Sequence, residues 1–560
     1  MTLPNLAPHC ARSRSQKFTA ALVASLAMSL GMHTAIAEPQ APTFEDVSEK
    51  LGILAHTKNW QLGHGAAWGD ANGDGRPDLY LGAFADRPVF RQPDAPLPNM
   101  LLLNEAAGFT LSPDEAVRLD KKNARTTFAA FADIDNDGDQ DLIAGNHERG
   151  RGIYPSAFFE NQGDGSYVDI TEKVVGFPQP SEERTIALID VDQDGRLDMI
   201  VTDGAYGRQG GNRGRTVVLR QTKPWHFEDI TAELGMPDTG TTGYGMALGD
   251  VNNDGRTDFF IAQANRLFVS TAEGKFVEAD AGRFLQPTGG DRESLTCGAA
   301  FGDLNGDGQL DLVTTVHSGP NQMRVYLHDG FDDKGLPRFR HATKELGLPE
   351  FWPTKGRTGL AVKGAHIAIR DVDLDGRNDI MCAMVWDHPE LGTQPVMAMN
   401  RNADNSEGFK LELPPLDRLL GYYAPGPVAD YDRDGLIDML LPAWFTELPT
   451  ALFRNTTSAT GHYLGISVQG DGKAFNRDGI GATVRLYTPG HAGDPAHLIA
   501  RSDITSGNGY SSGEVPLAHF GLGDVPAVDM VITWQGKTIT RKAVEANQYL
   551  TIAEQWTEEK

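Results

Sequence analysis

The chain repeats a pattern of two short apolar runs separated by a polar, glycine-containing loop. The run before the loop is rich in alanine and glycine, as in Gly65–Gly69 and Phe128–Ala132, and the run after it includes Leu79–Leu81 and Leu312–Thr315. Short apolar runs bounded by Gly and Asp are typical of buried β-strands. Alanine and glycine suit strands that crowd around a central axis. The pattern therefore predicts a repeated β-unit arranged as a ring.

The polar loop recurs seven times as Asp-x-Asx-x-Asp-Gly-x-x-Asp, and its copies begin 53 to 68 residues apart. A regular period of this length indicates a repeat architecture, and seven units predict an all-β, seven-bladed β-propeller. The oxygen-bearing residues of successive copies, at positions one, three, five and nine, are Asp70, Asn72, Asp74 and Asp78; Asp133, Asp135, Asp137 and Asp141; Asp190, Asp192, Asp194 and Asp198; Asp250, Asn252, Asp254 and Asp258; Asp303, Asn305, Asp307 and Asp311; Asp371, Asp373, Asp375 and Asp379; and Asp430, Asp432, Asp434 and Asp438.

A second phrase, an aromatic residue followed by an acidic and β-branched stretch, repeats out of step with the loops. Its copies begin at Phe44, Phe109, Tyr167, Phe227, Phe276, Phe339 and Phe409. Each copy precedes a loop, and none follows the last loop at Asp430. We therefore expect the N-terminal phrase to supply the outer strand of the seventh blade and so close the ring.

The two ends of the chain differ from the repeats. A basic lead-in, the apolar run Phe18–Met32 and the small residues Ala35-Ile36-Ala37 are typical of a secretory signal peptide, with cleavage expected after Ala37. The tail, Gly461–Glu554, alternates short strands with Gly, Asp and Pro, which predicts a small β-sandwich. The expected organisation is a signal peptide at 1–37, a propeller at 43–455 and a β domain at 456–560, in a secreted or periplasmic protein without membrane insertion.

The charge and cysteine content narrow the possible partners. The formal net charge of the whole chain is −26, which disfavours nucleic acid, because its phosphates need Lys and Arg for neutralisation. Two cysteines follow the leader, Cys297 and Cys382, each in an apolar strand-like context. Two such residues do not make a disulfide framework. We expect two buried free thiols, with a single bridge as the alternative.

The loops carry the oxygen ligands that a hard cation prefers. Ca²⁺ takes six to eight oxygen ligands, and positions one, three, five and nine present carboxylate or amide oxygens. Glycine at position six permits the turn, and position seven is expected to contribute only its backbone carbonyl. An EF-hand would need a glutamate at position twelve, which instead holds Leu81, Ala144, Val201, Ile261, Thr314, Cys382 and Leu441. Simple polar turns would not keep four oxygen positions in register seven times. We therefore expect up to seven Ca²⁺, one per blade.

An enzyme is the alternative interpretation, with calcium in a structural role. Residues five or six before each loop should lie near the mouth of the central funnel, and they include His64, Arg184, Tyr244 and His366. Such a ring of polar side chains could bind a ligand or support acid–base chemistry. These residues are the catalytic candidates of this interpretation, but no nucleophile elbow, HExxH or phosphate-binding glycine loop accompanies them. An interaction protein is therefore the preferred interpretation.

Several motifs resemble known families. The loops, with the preceding pairs Trp68-Gly69 and Phe301-Gly302, resemble the FG-GAP/VCBS repeats of integrin α-chain propellers. The aromatic phrases and Asn161–Tyr167 resemble the cartilage acidic protein (CRTAC) family, and His519–Gly523 and Val531–Trp534 resemble its C-terminal ASPIC/UnbV domain. The resemblance implies extracellular or periplasmic calcium binding and interaction with a protein, glycan or small-molecule ligand that the sequence does not identify. Asn455-Thr-Thr also fits an N-glycosylation acceptor.

Overall fold

The computed structural model describes most of the chain from residue 41 onward. The described residues are 41–58, 60, 62–84, 98–118, 124–147, 155–178, 183–203, 215–238, 240–280, 284, 296–316, 323–348, 365–388, 392–401, 408–412, 423, 425–444, 449–458 and 461–553. The predicted signal peptide lies outside them. Among these residues, no helix has both the length and the apolar character that a membrane crossing requires.

Seven antiparallel sheets follow one another along the chain, and each forms one blade. One copy of the repeated aspartate-rich loop, which we term the blade loop, lies between the first and second strands of each blade. Their strands are β1 (Phe44–Asp46), β2 (Gly63–Gly69), β3 (Asp78–Ala83), β4 (Met100–Glu105), β5 (Gly108–Leu111), β6 (Thr126–Ala132), β7 (Asp141–Asn146), β8 (Ala157–Asn161), β9 (Tyr167–Asp169), β10 (Glu183–Ile189), β11 (Asp198–Asp203), β12 (Val217–Lys223), β13 (His226–Asp229), β14 (Gly243–Gly249), β15 (Asp258–Gln263), β16 (Arg266–Ser270), β17 (Phe276–Ala279), β18 (Thr296–Gly302), β19 (Asp311–Val316), β20 (Met323–Phe331), β21 (Pro337–His341), β22 (Ile367–Arg370), β23 (Asp379–His388), β24 (Gly392–Asn400), β25 (Phe409–Glu412), β26 (Val428–Ala429), β27 (Asp438–Leu441) and β28 (Ala451–Asn455). A short helix, α1 (Ile53–Thr57), and a 3-10 turn, Thr171–Lys173, interrupt the strands. The predicted all-β, seven-bladed propeller is confirmed.

The N-terminal strand closes the ring as the second phrase predicted. The first six blades are β2–β5, β6–β9, β10–β13, β14–β17, β18–β21 and β22–β25, and the seventh is β26, β27 and β28 with β1 at its outer edge. β1 runs antiparallel to β28, with Phe44 opposite Asn455 and Asp46 opposite Phe453. The other copies of the phrase start or lie in the outermost strands of the remaining blades.

The apolar core lies between neighbouring blades. One cluster joins Ala67 and Tyr80 of the first blade to Phe131 and Leu142 of the second. The innermost strands approach so closely that a Cβ built on Gly298 would lie 2.3 Å from the carbonyl oxygen of Ala365 in the sixth blade. The alanine- and glycine-rich runs are therefore required by this close approach. Cys297 and Cys382 are both buried and unbridged, as expected.

The C-terminal segment forms two further sheets that share one core. Its strands are β29 (His462–Val468), β30 (Thr483–Tyr487), β31 (Leu498–Asp503), β32 (Ser512–Gly513), β33 (Ala518–Gly523), β34 (Ala527–Trp534), β35 (Lys537–Glu545) and β36 (Gln548–Ile552), with a 3-10 turn at Pro495–His497. One sheet has the order β33-β29-β36 and the other β31-β30-β34-β35. Leu464 and Phe520 of the first pack with Leu486 and Ile532 of the second. β32 leaves both sheets and pairs in parallel with β2.

A side-chain amide in the third strand of most blades fastens each blade to the one before it. In the seventh blade, the Asn455 amide donates to the carbonyl of Ile437 in its own loop (3.2 Å) and to that of Val372 in the loop of the sixth (2.9 Å). The equivalent amides are Asn104, Asn161, Gln221 and Asn400. Asn455-Thr-Thr fits the N-glycosylation motif in sequence, but the Asn455 side chain is buried at 1 % exposure and is not accessible as an acceptor.

Replacing this amide should weaken the ring. Asn455→Leu keeps the approximate volume but leaves two buried carbonyls without a donor, and each unsatisfied group costs roughly 1–3 kcal/mol. We expect the free energy of unfolding in denaturant to fall by about 2–6 kcal/mol. Ser458→Ala, at an exposed neighbouring position, is the control and should change it by less than about 0.5 kcal/mol. Equal stability of the two variants would contradict the role of the amide.

Candidate metal centres

The first aspartate of each blade loop folds the loop around its own carboxylate. In the third blade, Asp190 Oδ1 accepts the backbone N–H of Asp194 and Oδ2 accepts that of Gly195, both at 2.9 Å. The same pair of bonds is present in the other six loops. The glycine is required here, because Gly195 has φ 85°, a conformation that side chains disfavour.

The ninth aspartate joins the loop to the third strand of its blade. Asp198 Oδ2 accepts the backbone N–H of Val191 (2.9 Å), and Oδ1 accepts that of Gln221 in β12 (2.7 Å). All seven loops share these contacts. The side chain is almost fully buried in every copy. This second, structural role explains why position nine is aspartate throughout.

The loops bring their carboxylates together as predicted. In four of them, three carboxylate oxygens lie within 4.8 Å of one another, at Asp133, Asp135 and Asp141; Asp190, Asp192 and Asp194; Asp371, Asp373 and Asp379; and Asp430, Asp432 and Asp438. In the other three, position three is asparagine, and the Asn252 amide, for example, donates to Asp254 Oδ2 at 3.0 Å. These all-oxygen donor sets fit a hard divalent cation.

Burial opposes the charge that these carboxylates carry. It raises the pKa of Asp133 to about 8 and that of Asp190 to about 7, and nearby carboxylates contribute in the same direction. Burial likewise raises the pKa of Asp141 to about 9 and holds that of Asp258 well above its usual range. All seven carboxyls at position one and all seven at position nine shift upward. A bound cation would favour their ionised form.

Arginine side chains lie against several of the loops. Arg76, Arg196 and Arg377 at position seven each pair through their guanidinium with the aspartate at position five. The Nε of each donates to a backbone carbonyl in the third strand of the blade, at 2.7 to 3.0 Å. The sequence led us to expect only a backbone carbonyl from position seven. In these three loops, the side chain at position seven also pairs with the aspartate at position five.

The C-terminal domain covers the face of the ring that carries the blade loops, which we term the loop face. Gln535 Nε2 donates to Asp190 Oδ2 (2.7 Å), and the Tyr549 hydroxyl donates to Asp430 Oδ2. Arg501 donates to the backbone carbonyl of Asp250 (2.6 Å). Two cavities of about 330 and 290 Å³ remain at this junction, on the loops of blades five and six and of blades one and two. None of these partners could be predicted from the sequence, because each is more than 100 positions from the loop that it contacts.

Residues 505–515, the hub segment, extend from the C-terminal domain to the centre of the ring. Its contacts reach all seven blades, through β32 with Ala66, Gly513 with Ala129, Ser506 with Leu188, Asn508 with Leu248, Gly509 with Ala299, Glu514 with Arg370, and Ser512 with Gly426. Tyr510 at its tip is 1 % exposed and packs with Tyr244, Cys297 and Ala365. The Tyr510 side chain therefore occupies the centre of the ring, where the sequence predicted a funnel.

The four funnel candidates do converge, but they surround Tyr510. The Tyr510 hydroxyl lies 3.1 Å from His64 Nε2, and its backbone N–H donates to His366 Nδ1 at 3.2 Å. The Arg184 guanidinium lies 5.1 Å from the centre of the Tyr244 ring. All four are buried, at 1 to 6 % exposure. Burial lowers the pKa of His366 to about 4, which keeps its imidazole neutral. The structure thus places the four candidates around the tip of the hub segment, and a ligand-binding or catalytic role for them stays a prediction.

Comparisons with known proteins agree with this architecture. The model of the FG-GAP-like repeat matches residues 133–201 and 250–314, and that of the ASPIC and UnbV family matches 472–559. Cartilage acidic protein 1 of Xenopus tropicalis is 26 % identical, over 92 % of this chain and 78 % of the relative. The Homo sapiens protein is 27 % identical, over 88 % and 72 %.

Solved structures match this chain with low TM-scores. An Agrocybe aegerita lectin that recognises non-reducing terminal N-acetylglucosamine matches with TM-score 0.38 and 15 % identity, over 62 % of this chain and 80 % of the lectin. A Bacillus licheniformis rhamnogalacturonan lyase matches with TM-score 0.37 and 13 % identity, over 71 % and 72 %. The two family models show that the chain carries FG-GAP-like repeats followed by an ASPIC and UnbV domain. Together with these matches, the relatives show that the chain is distantly homologous to cartilage acidic protein 1 over most of its length.

Proposed function

We propose that this protein is a calcium-binding propeller that acts outside the cytoplasm as a binding protein, with up to seven Ca²⁺ in its blade loops. The observation that carries the proposal is the set of carboxylate triads, whose oxygens lie within 4.8 Å of one another. Ca²⁺ would supply the positive charge that the buried members of these triads need when ionised. Calcium is favoured over magnesium because Ca²⁺ accepts more ligands and irregular, carbonyl-containing sites.

The ions would also act on the contact between the two domains. Asp190 and Asp430 are candidate ligands, and each accepts a hydrogen bond from the C-terminal domain through Gln535 or Tyr549. A cation that fixes these carboxylates therefore fixes the surface that the C-terminal domain covers. Calcium would in this way stabilise the blade loops and the attachment of the hub segment together.

The expected setting is secreted or periplasmic. The typical leader before Ala37 and the homology to cartilage acidic protein 1 support it. The partner would be a protein, a glycan or a small molecule, because a net charge of −26 disfavours nucleic acid. Since the C-terminal domain covers much of the loop face, we expect partners on the outer surfaces of the blades and of the C-terminal domain.

Counting bound ions tests the proposal. The purified protein, dialysed against Ca²⁺ and analysed by elemental analysis, should hold up to seven equivalents. Asp192→Ala removes an exposed ligand of the third loop without touching the core, so it should lower the count by one. Glu273→Ala, at an exposed position outside the loops, should leave the count unchanged. A protein that retains no calcium under these conditions would show the proposal to be wrong.

A further inference from the structure

A second group of potential metal ligands lies outside the blade loops, in the turn between β30 and β31 of the C-terminal domain. Ligand atoms of His491, Asp494 and His497 all lie within 4.8 Å of one another. The two imidazole rings are stacked, with centroids 3.6 Å apart. His491 and Asp494 are exposed and His497 is partly exposed, so solvent ions can reach all three.

The backbone of this turn is held on several sides, which places the three side chains together. Thr488 N–H donates to the carbonyl of His497 (3.0 Å), and Gly490 N–H donates to Asp529 Oδ2 on β34 (2.9 Å). Asp494 caps the 3-10 turn Pro495–His497, since its Oδ1 accepts the N–H of Ala496 at 3.1 Å. Its other oxygen, Oδ2, lies 3.9 Å from His497 Nε2.

The donor atoms select a different class of metal from that of the blade loops. Two imidazole nitrogens and one carboxylate suit Zn²⁺ and similar transition metals, whereas Ca²⁺ prefers oxygen alone. Thr488 Oγ1 lies 3.2 Å from His497 Nδ1. A hydrogen bond from Nδ1 to this hydroxyl would leave the lone pair of Nε2 free, on the side that faces Asp494. Ligating histidines commonly use such a partner on the other ring nitrogen.

We propose that His491, Asp494 and His497 form a binding site for Zn²⁺ or a related divalent transition metal, independent of calcium. Coordination requires the two rings to leave their stacked arrangement, which the exposure of His491 permits. Three protein ligands leave one position of a tetrahedral ion for water or for a donor atom of another molecule. The ion would link the start of the turn to its end and so stabilise the β30–β31 connection.

Zinc titration of the full-length protein, saturated with Ca²⁺, tests this site by isothermal calorimetry. The wild type should bind one equivalent of Zn²⁺ that His491→Ala and His497→Ala each weaken by at least about 100-fold, while Thr488→Val weakens it by about 10-fold. The calcium count should be the same in all variants. His226→Ala replaces a histidine outside the cluster and should retain the zinc site.

Cobalt provides a second measurement on the same proteins. Co²⁺ in a four-coordinate site should give visible absorption bands that Zn²⁺ displaces and that the His491→Ala with His497→Ala variant lacks. Absence of zinc binding by the calcium-loaded wild type would overturn the proposal. Equal zinc affinity in the wild type and the double variant would overturn it as well, because the ion would then be bound elsewhere.

Discussion

Removing calcium with EDTA is expected to lower the melting temperature of the full-length protein at pH 7.5 by about 15–20 °C. A ligand present at 100 times its dissociation constant stabilises the folded state by about 2.7 kcal/mol per site, so seven sites together contribute about 19 kcal/mol. The unfolding entropy of a folded unit of about 500 residues is roughly 1 kcal/mol per kelvin. The ratio of this free energy to the unfolding entropy gives the expected shift in melting temperature, which differential scanning calorimetry measures directly.

The same experiment has an internal control in its pH dependence. Asp133, with a pKa of about 8 through burial, and Asp190, with a pKa of about 7, bind more protons in the folded than in the unfolded state above pH 3.8. The stability of the calcium-free protein must then decrease as the pH rises from about 4 to about 8. The effect of EDTA should therefore be smaller at pH 5 than at pH 7.5. Equal melting temperatures with and without calcium at pH 7.5 would refute the metal centres.

Tyr510→Ala should be the most damaging single substitution at the centre of the ring. It removes a side chain that is 1 % exposed and packs among Tyr244, Cys297 and Ala365. Large aromatic-to-alanine changes in cores cost about 3–5 kcal/mol because a cavity remains. The free energy of unfolding should fall by this amount. Tyr510→Phe keeps the ring and loses only the hydroxyl contact with His64, so it should cost about 1 kcal/mol.

These variants also bear on the enzyme alternative. Since His64 and His366 contact Tyr510, the combined change His64→Ala with His366→Ala should lower stability, measured as the denaturation midpoint. An enzyme site in the funnel instead predicts loss of a turnover with an unchanged calcium-dependent melting temperature. If Tyr510→Ala proves as stable as the wild type, the hub segment does not fill the ring in solution.

The fold could be predicted from the sequence because the information is local and repeated. Each blade loop carries its own turn glycine and its own carboxylates, so the site in one blade does not depend on residues far along the chain. The aromatic phrase at Phe44 indicated ring closure because six further copies set its place in the blade. The dual role of the ninth aspartate was not predicted, since its backbone partners are not visible in a side-chain pattern.

The hub could not be predicted because its contacts join single, unrepeated positions. His64 and Tyr510 are 446 positions apart, and no periodicity connects them. Likewise, Asn455-Thr-Thr fits an N-glycosylation motif although Asn455 is buried, because the motif carries no information about burial. The strands and loop carboxylates within each blade could therefore be predicted from the sequence, whereas the contacts that join the two domains could not.

The last blade has a consequence for how the polypeptide matures. Ser48 Oγ accepts the N–H of Leu452, 404 positions later, so the outer strand at the start of the chain must wait for nearly the whole propeller to be synthesised. Until then, β28 has an exposed edge, and such edges favour aggregation. Pairings this distant in sequence form slowly. An organism that makes this protein would therefore benefit from a chaperone that shields these unpaired ends until both termini are present.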